Sequence, residues 1–510
     1  MITLLLLLAA VGLLGWGFYR AWPYGKLGLF AWLQSVVLMA PWLLFFALFA
    51  LGVYLNLAVV LGLVLGSAGI YVYLGRQLRK LGQAELLAQR AAALTQTDGV
   101  TDADARGPDE VSGESASHGS DDAAESTAGA TIASNAVEAI PEIPAADRTA
   151  LEGIFGVDTF FRTETVPYQQ GAIFRGNLRG TPEDTLIKLN ALKAERVGDR
   201  YRLFLIQDPS SKPVVVALPS ETDPSPLTTP QKVLAVVLAV MTLLTCLEAS
   251  GLLMGIDLAA TPNQWIQVWP VAAGIIFILV AHEVGHWWMA RWRQVKLSWP
   301  FFLPTWQIGS FGAVTRFESN LPDRSTLFDV AIAGPAAGGL VSLVMLFMGL
   351  VLSHPGSQFQ VPAQFFQGSI LVGALAKSVL GSALSQPLVD VHPLTLVGWL
   401  GLVITALNVM PAGQLDGGRI VQAIYGRKVA GRATVITLIV LAIASLANPL
   451  ALYWSVLILF LQRTLERPAE NELTEPNDAR AALGLLALFL MLATLAPLTP
   501  SLAGRLGIGG

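Results

Sequence analysis

Long apolar runs, broken by short polar stretches, dominate the chain. Residues 1–19 carry no charged side chain, and residues 27–75 are uncharged throughout. At ~20 residues per span, the first run predicts one membrane helix and the second predicts two, hinged near Leu51-Gly52. Met1-Ile2-Thr3 is not a basic leader, and no small-x-small cleavage site follows, so the first run reads as an uncleaved span. No Arg/Ser-rich transit peptide precedes it, which argues for a bacterial chain over an organelle precursor. In the second half, apolar runs cover 233–256 (with Glu248), 258–281, 330–353, 366–389 (with Lys377), 391–415, 433–462 and 481–504. The run at 433–462 is split by Asn448-Pro449 and predicts a tight hairpin of two shorter spans.

Between the two apolar halves the pattern changes. Residues 98–147 hold twelve acidic residues against one basic residue, Arg106, in a background of Ala, Ser, Thr and Gly. Such a stretch cannot bury a core and reads as a disordered acidic linker. Residues 148–220 alternate as a small α+β domain. Strands are expected over Asp158–Val166, Gly171–Leu178, Tyr201–Ile206 and Val214–Leu218, with a turn at Asp208-Pro209-Ser210. Pro182-Glu183-Asp184 opens a helix whose apolar face is Leu186, Leu189, Leu192 and Val197.

The chain thus reads as a polytopic α-helical membrane protein of about nine spans, with a small cytoplasmic α+β domain inserted before a catalytic core. Its parts are an N-terminal membrane unit of about three spans (1–80), an acidic linker (81–147), the soluble domain (148–225), the membrane core (226–466), and a linker with a C-terminal span (467–510). Composition agrees: 54% of residues are hydrophobic and 13% charged, about half the charge of a soluble domain. A net charge of −4 gives no reason to expect nucleic acid. The one cysteine, Cys246, excludes an intramolecular disulfide, an all-cysteine zinc site and an iron–sulfur cluster.

One constellation carries chemistry. Ala281-His282-Glu283-Val284-Gly285-His286 contains His-Glu-x-x-His. On a helix, positions i and i+4 share a face, so both imidazoles can hold one Zn²⁺ while the intervening carboxylate reaches a metal-bound water. Zinc brings that water's pKa to about 7, and Glu283 would take its proton and pass it to the leaving amine. Chance occurrence in this composition is on the order of two in a thousand. The preceding stretch, Pro270–Ala281, is apolar membrane sequence, where ionisable groups are costly and functional by default.

Two histidines leave a catalytic site one ligand short. Trp292 stands where an extended soluble-enzyme motif would carry a third histidine. Two acids remain. Glu318 lies in a polar, hairpin-like segment. Asp416 ends the string Asn408-Val409-Met410-Pro411-Ala412-Gly413-Gln414-Leu415-Asp416-Gly417-Gly418, where Pro411 breaks a helix and the glycines allow close approach.

With Asn408-x-x-Pro411-x-x-x-Leu415-Asp416-Gly417 downstream, the chain resembles the site-2 protease family of intramembrane zinc metalloproteases. Ala333-Gly334-Pro335-Ala336-Ala337-Gly338-Gly339 is similar to the family's Gly-Pro segment. Gly176-Asn177-Leu178-Arg179 resembles its cyanobacterial and plastid branch, the ethylene-dependent gravitropism-deficient and yellow-green type. The resemblance covers roughly residues 148–465. It implies a metal site of His282, His286 and Asp416 holding one Zn²⁺ per chain, with Glu283 as base and Asn408 positioning substrate or oxyanion. It also implies regulated intramembrane proteolysis of a membrane-spanning substrate within the lipid bilayer, here of a bacterial plasma or thylakoid membrane.

Basic residues follow both motif-bearing spans: Arg291, Arg293 and Lys296 after the first, and Arg419, Arg427 and Lys428 after the second. Both ends should be cytoplasmic, as should the end at Arg76–Arg90. The two helices then run the same way, with an odd number of spans between them. Of the two intervening runs, 366–389 carries Lys377, Ser378, Ser382, Ser385 and Pro387 and is expected not to cross. Residues 300–318 predict a hairpin that dips toward the site, either as an ordinary connection or as an edge for an unwound substrate. His354, Asp390 and His392 read as structural, and Glu248 as a polar contact or part of a substrate path. Two rival functions stay open: a non-catalytic transporter or scaffold, and another membrane metalloprotease using Glu318. Oligomeric state and substrate identity are not legible.

Overall fold

The computed structural model describes residues 143–508, apart from 169, 209, 259, 306, 447 and 460–463, together with scattered positions in 15–78. The spans expected in 1–75, the hinge at Leu51-Gly52 and nearly all of the acidic stretch lie largely outside the described residues. The chain divides into two units, Met1–Ala128 and Gly129–Gly510. In the first, a 3-10 turn at Trp22–Tyr24 sits among helical residues.

Among the described residues, the first element of the second unit is helix α1 (Ala145–Glu152), with Pro144 at its N-cap position. This corrects the linker boundary. Asp147, counted among the linker acids, is buried, and Ile143, Leu151 and Ile154 join the core of the small domain. Four strands follow as one antiparallel sheet: β1 (Phe160–Tyr168), β2 (Gly171–Leu178), β3 (Tyr201–Gln207) and β4 (Pro213–Pro219), in the order β1-β2-β4-β3. Helix α2 (Pro182–Val197) packs on one face. Thr181 caps it by accepting from the Asp184 N–H, and Gly198 ends it at a φ of 62° that a side chain would disfavour. Phe160, Phe174, Leu189, Leu203, Leu205 and Val215 form the core, each burying about 1.5–3 kcal/mol of side chain.

Helices α3 (Thr229–Leu253), α4 (Trp265–Trp292) and α5 (Arg324–Leu352) are long and apolar enough to cross a membrane, as is α10 (Asp478–Leu495). These are the four such helices among the described residues, against the nine spans expected for the whole chain. Between α4 and α5 lies the expected hairpin, β5 (Phe301–Thr305) with β6 (Gly309–Val314). A second hairpin, β7 (Phe359–Pro362) with β8 (Leu388–Val391), flanks α6 (Ile370–Leu380). At eleven residues α6 is too short to cross. Helix α7 (Pro393–Asn408) and helix α8 (Asp416–Ala444) follow, then α9 (Pro449–Leu457), capped by Asn448, and lastly α11 (Pro500–Leu506).

Glycines set the packing of α4, α5 and α7. A β-carbon on Gly274 or Gly401 would meet Val397 or Ile278, and one on Gly398 or Gly349 would meet the backbone of Leu346 or Thr395. These pairings run α4 and α7 the same way, with α5 antiparallel between them. Small residues are what let the backbones approach this closely.

Two features differ from the apolar-run reading. Residues 433–444 are the far half of α8, not a separate span. That helix begins at Asp416 and kinks at Gly426, whose φ is 78°. The kink leaves the carbonyls of Ala423 and Ile424 without helical donors, and buried Arg324 serves both at 2.7 Å. Residues 467–474, expected as linker, form a strap together with Glu466, the last residue assigned to the core. Leu205 on the edge strand β3 gives its N–H to the Glu470 carbonyl (2.7 Å) and takes the Glu472 N–H (3.0 Å). Glu470 and Asn471 donate in turn to Leu321 and Pro322, just before α5. The strap thus closes an open sheet edge and docks the small domain on the helical core.

Candidate metal centre

Helix α4 carries His282, Glu283 and His286, and their spacing points both imidazoles toward α5. The Gly-Pro segment of α5 makes the room. A β-carbon on Gly334 would stand 2.2 Å from His286 Nε2, and one on Gly338 would stand 3.0 Å from His282 Cβ. Where the helices cross, Gly285 faces the Ala333 carbonyl so closely that a β-carbon there would be 2.5 Å away. His286 Nδ1 lies 2.8 Å from the Val330 main-chain oxygen. A carbonyl only accepts, so Nδ1 carries the hydrogen and Nε2 presents its lone pair.

Asp416 enters from the other side. Helix α7 ends at Asn408, residues 409–415 turn the chain, and Asp416 is the first residue of α8. Gly417 and Gly418 are obligatory there, since β-carbons would fall 1.8 Å from the Val409 oxygen and 2.3 Å from the Gly413 oxygen. Asp416 Oδ2 lies 3.1 Å from His282 Nε2 and 3.3 Å from His286 Nε2, and the two Nε2 atoms are 3.1 Å apart. All three residues are buried.

These distances fit a metal. With zinc–nitrogen bonds of 2.0–2.1 Å, the edge of a tetrahedral site is about 3.3 Å. The facing Nε2 atoms cannot satisfy each other without a proton or a cation between them. Two imidazoles and one carboxylate are the donor set of a catalytic zinc with one position left for water. Among the described residues this is the one cluster of His, Cys, Asp and Glu that meets the distances for an ion.

The other candidates are placed elsewhere. Glu318, the rival third ligand, accepts the Leu227 N–H at 2.9 Å and is not in the cluster. Glu283 is half-buried, with no hydrogen-bond partner among the described residues, so its carboxylate is available to a water. Asn408 is buried and gives its amide to the carbonyls of Ile404 (3.0 Å) and Phe311 on β6 (3.2 Å). It therefore holds the hairpin and is one step removed from the ligand atoms. Three carbonyls on or beside β6 are already taken: Gly309 by Thr245, Phe311 by Asn408 and Thr315 by Arg419. The hairpin is thus pinned to α3, α7 and α8. Asp390 binds the Gly356 N–H and Gln360, and His392 caps α7, which are structural roles.

Sequence reasoning read Arg419 only as a flanking charge that sets sidedness and missed its place inside the core beside the site. It is 2% exposed, bound to Glu466 at 2.8 Å, and one helical turn beyond Asp416. The available signal was an arginine one helical turn beyond Asp416, at the start of a helix that follows an apolar span.

Residues 270–447 match the profile of Peptidase family M50, and residues 149–225 match that of the EGY3 middle domain. A probable zinc metalloprotease, EGY1, chloroplastic, of Arabidopsis thaliana is 36% identical over 406 residues, covering 72% of this chain and 74% of that protein. The chain belongs to Peptidase family M50. It is also 38% identical over 351 residues to a probable zinc metalloprotease EGY2, chloroplastic, of Oryza sativa subsp. indica (68% of this chain, 64% of that one). A probable zinc metallopeptidase EGY3, chloroplastic, of Arabidopsis thaliana is 32% identical over 378 residues (69% and 66%). No solved structure matches this M50 chain.

Proposed function

We infer that this protein is an intramembrane zinc endopeptidase that hydrolyses peptide bonds of membrane-embedded proteins near the cytoplasmic face. One observation carries the reading: His282, His286 and Asp416 bring their ligand atoms within 3.1–3.3 Å of one another among apolar helices. When bound, zinc supplies a water acidified to a pKa of about 7 and a Lewis acid for the scissile carbonyl. Glu283 takes the water's proton and delivers it to the leaving nitrogen. Val330 fixes the ring of His286, and Asn408 fixes the β5–β6 hairpin against which the substrate is aligned.

A transporter or scaffold has no use for this donor set with a free carboxylate beside it. The domain over 148–225 and the core over 226–466 act as separate parts of one enzyme, and the positive residues after α4 and at the kink of α8 support a cytoplasmic site. The relatives' chloroplast location supports a thylakoid-type membrane, and gives no support to the bacterial source expected from the sequence. The test is a comparison of membrane-protein fragments in cells carrying wild type or Glu283→Gln. Loss of a defined set of fragments in the variant is expected, and identical fragment sets would overturn the reading.

A further inference from the structure

The metal centre accounts for Asp416 but not for the buried charge one turn later on the same helix. Arg419 Nη2 donates to the Thr315 carbonyl at the end of β6 (2.6 Å), and Nε and Nη2 reach Glu466 Oε2 (3.0 and 2.8 Å). Its guanidinium also lies over the ring of Phe317, 5.1 Å from the centroid. Glu466 is held a second way: its main-chain oxygen accepts from Gln422 (3.1 Å) and from Arg427. The next strap residue, Arg467, donates to the Thr222 carbonyl (2.6 Å) and sits over Phe204 of the small domain.

A buried guanidinium is costly to desolvate, and a planar fork with two fixed acceptors holds geometry that a point charge cannot. Here the fork spans three parts that the reaction needs in register: the start of α8, which bears Asp416; the β5–β6 hairpin; and the strap. We propose that Arg419 is a positioning residue for the reaction, setting the hairpin against the Asp416 end of α8, with Glu466 holding the guanidinium in that pose. Through Arg467 the same strap ties this arrangement to the small domain. The proposal rests on the protease reading and names a part of that site that neither histidine nor carboxylate ligand supplies.

The test uses the full chain in detergent, with cobalt(II) exchanged for zinc so that visible absorption reports ligand geometry. Arg419→Met should shift the cobalt bands and lower kcat about ten- to hundredfold, as loss of a supporting partner does at metal sites. KM should change less than about twofold, because the lost alignment is felt in the transition state. Arg419→Lys keeps the charge but not the fork, and should recover only part of the rate. Glu466→Gln, which preserves shape, should move spectrum and kcat the same way by less. A wild-type cobalt spectrum and kcat in metal-loaded Arg419→Met would overturn the proposal. If that variant does not fold, the same result in Glu466→Gln overturns it. Wild type and Glu283→Gln run alongside. A wild type that cleaves nothing would defeat the protease reading, while the cobalt spectra still report on Arg419 alone.

Discussion

Gly334 lies so close beneath the imidazole of His286 that a β-carbon there would stand 2.2 Å from Nε2. One methyl group at this point must push the ring off its bond to Val330 and away from Asp416. Gly334→Ala is therefore expected to cut zinc affinity at least about tenfold. Gly431→Ala is the control, since the nearest atom to its β-carbon would be 3.9 Å away. Metal titration with a chelator checks both. Equal affinities would show that the ring tolerates displacement.

Asp416→Ala should lose the metal, because one of three protein ligands is gone. Glu318→Ala should keep it and instead weaken the docking of the segment at Leu227, by about 1–3 kcal/mol for a lost bond to a charged group. Zinc quantified in the two purified variants decides between these acids.

What the sequence disclosed follows the range of the interaction. His282, Glu283 and His286 are legible because i, i+4 spacing is a local property. The strands of the small domain are legible because alternation and the turn at Asp208-Pro209-Ser210 are local too. Spacing could not choose between Glu318 and Asp416, since both lie far along the chain, and only the turn at 409–415 decides which returns to the histidines. The strap was illegible for a related reason. Glu470 and Glu472 look like a solvated linker, and Glu466 like the end of the core, until Arg419, Arg427 and β3 are brought to them. Helix α8 was cut short in the hydropathy reading because its strap-gripping residues, Arg419, Gln422 and Arg427, are polar and interior. Asp147 was assigned to the linker by composition, although Tyr201 and Arg200 hold it in the domain.

That last contact carries a pH dependence. Burial, then the hydrogen bond to Asp147 (3.0 Å), push the Tyr201 hydroxyl up to about 12 from an ordinary value of 10.0. Between those values the unfolded chain releases a proton that the folded domain keeps. Stability is full below pH 10 and falls as pH rises toward 12, by ~2 kcal/mol. Tyr201→Phe should remove this alkaline loss while costing about 1–3 kcal/mol at neutral pH, where Asp147 loses a donor. Urea titrations of the full chain, read by protease sensitivity of residues 145–225, give both numbers.

Sidedness has its own test. A reporter fused near residue 120 should read as cytoplasmic, given Arg76, Arg79, Lys80 and Arg90 before it and Lys232 after the small domain. A signal from the opposite side would move the site to the other membrane face.

The central claim is that Glu283 performs the proton transfer at a metal held by His282, His286 and Asp416. The direct measurement is cleavage of a single-span substrate in liposomes, with zinc quantified in the same preparation. Glu283→Gln keeps size and ligand set, so it should hold zinc near the wild-type level. It cannot accept a proton, so cleavage should fall by at least ~10²–10⁴-fold. His282→Ala should lose metal and cleavage together. Undiminished cleavage by zinc-loaded Glu283→Gln would contradict the account.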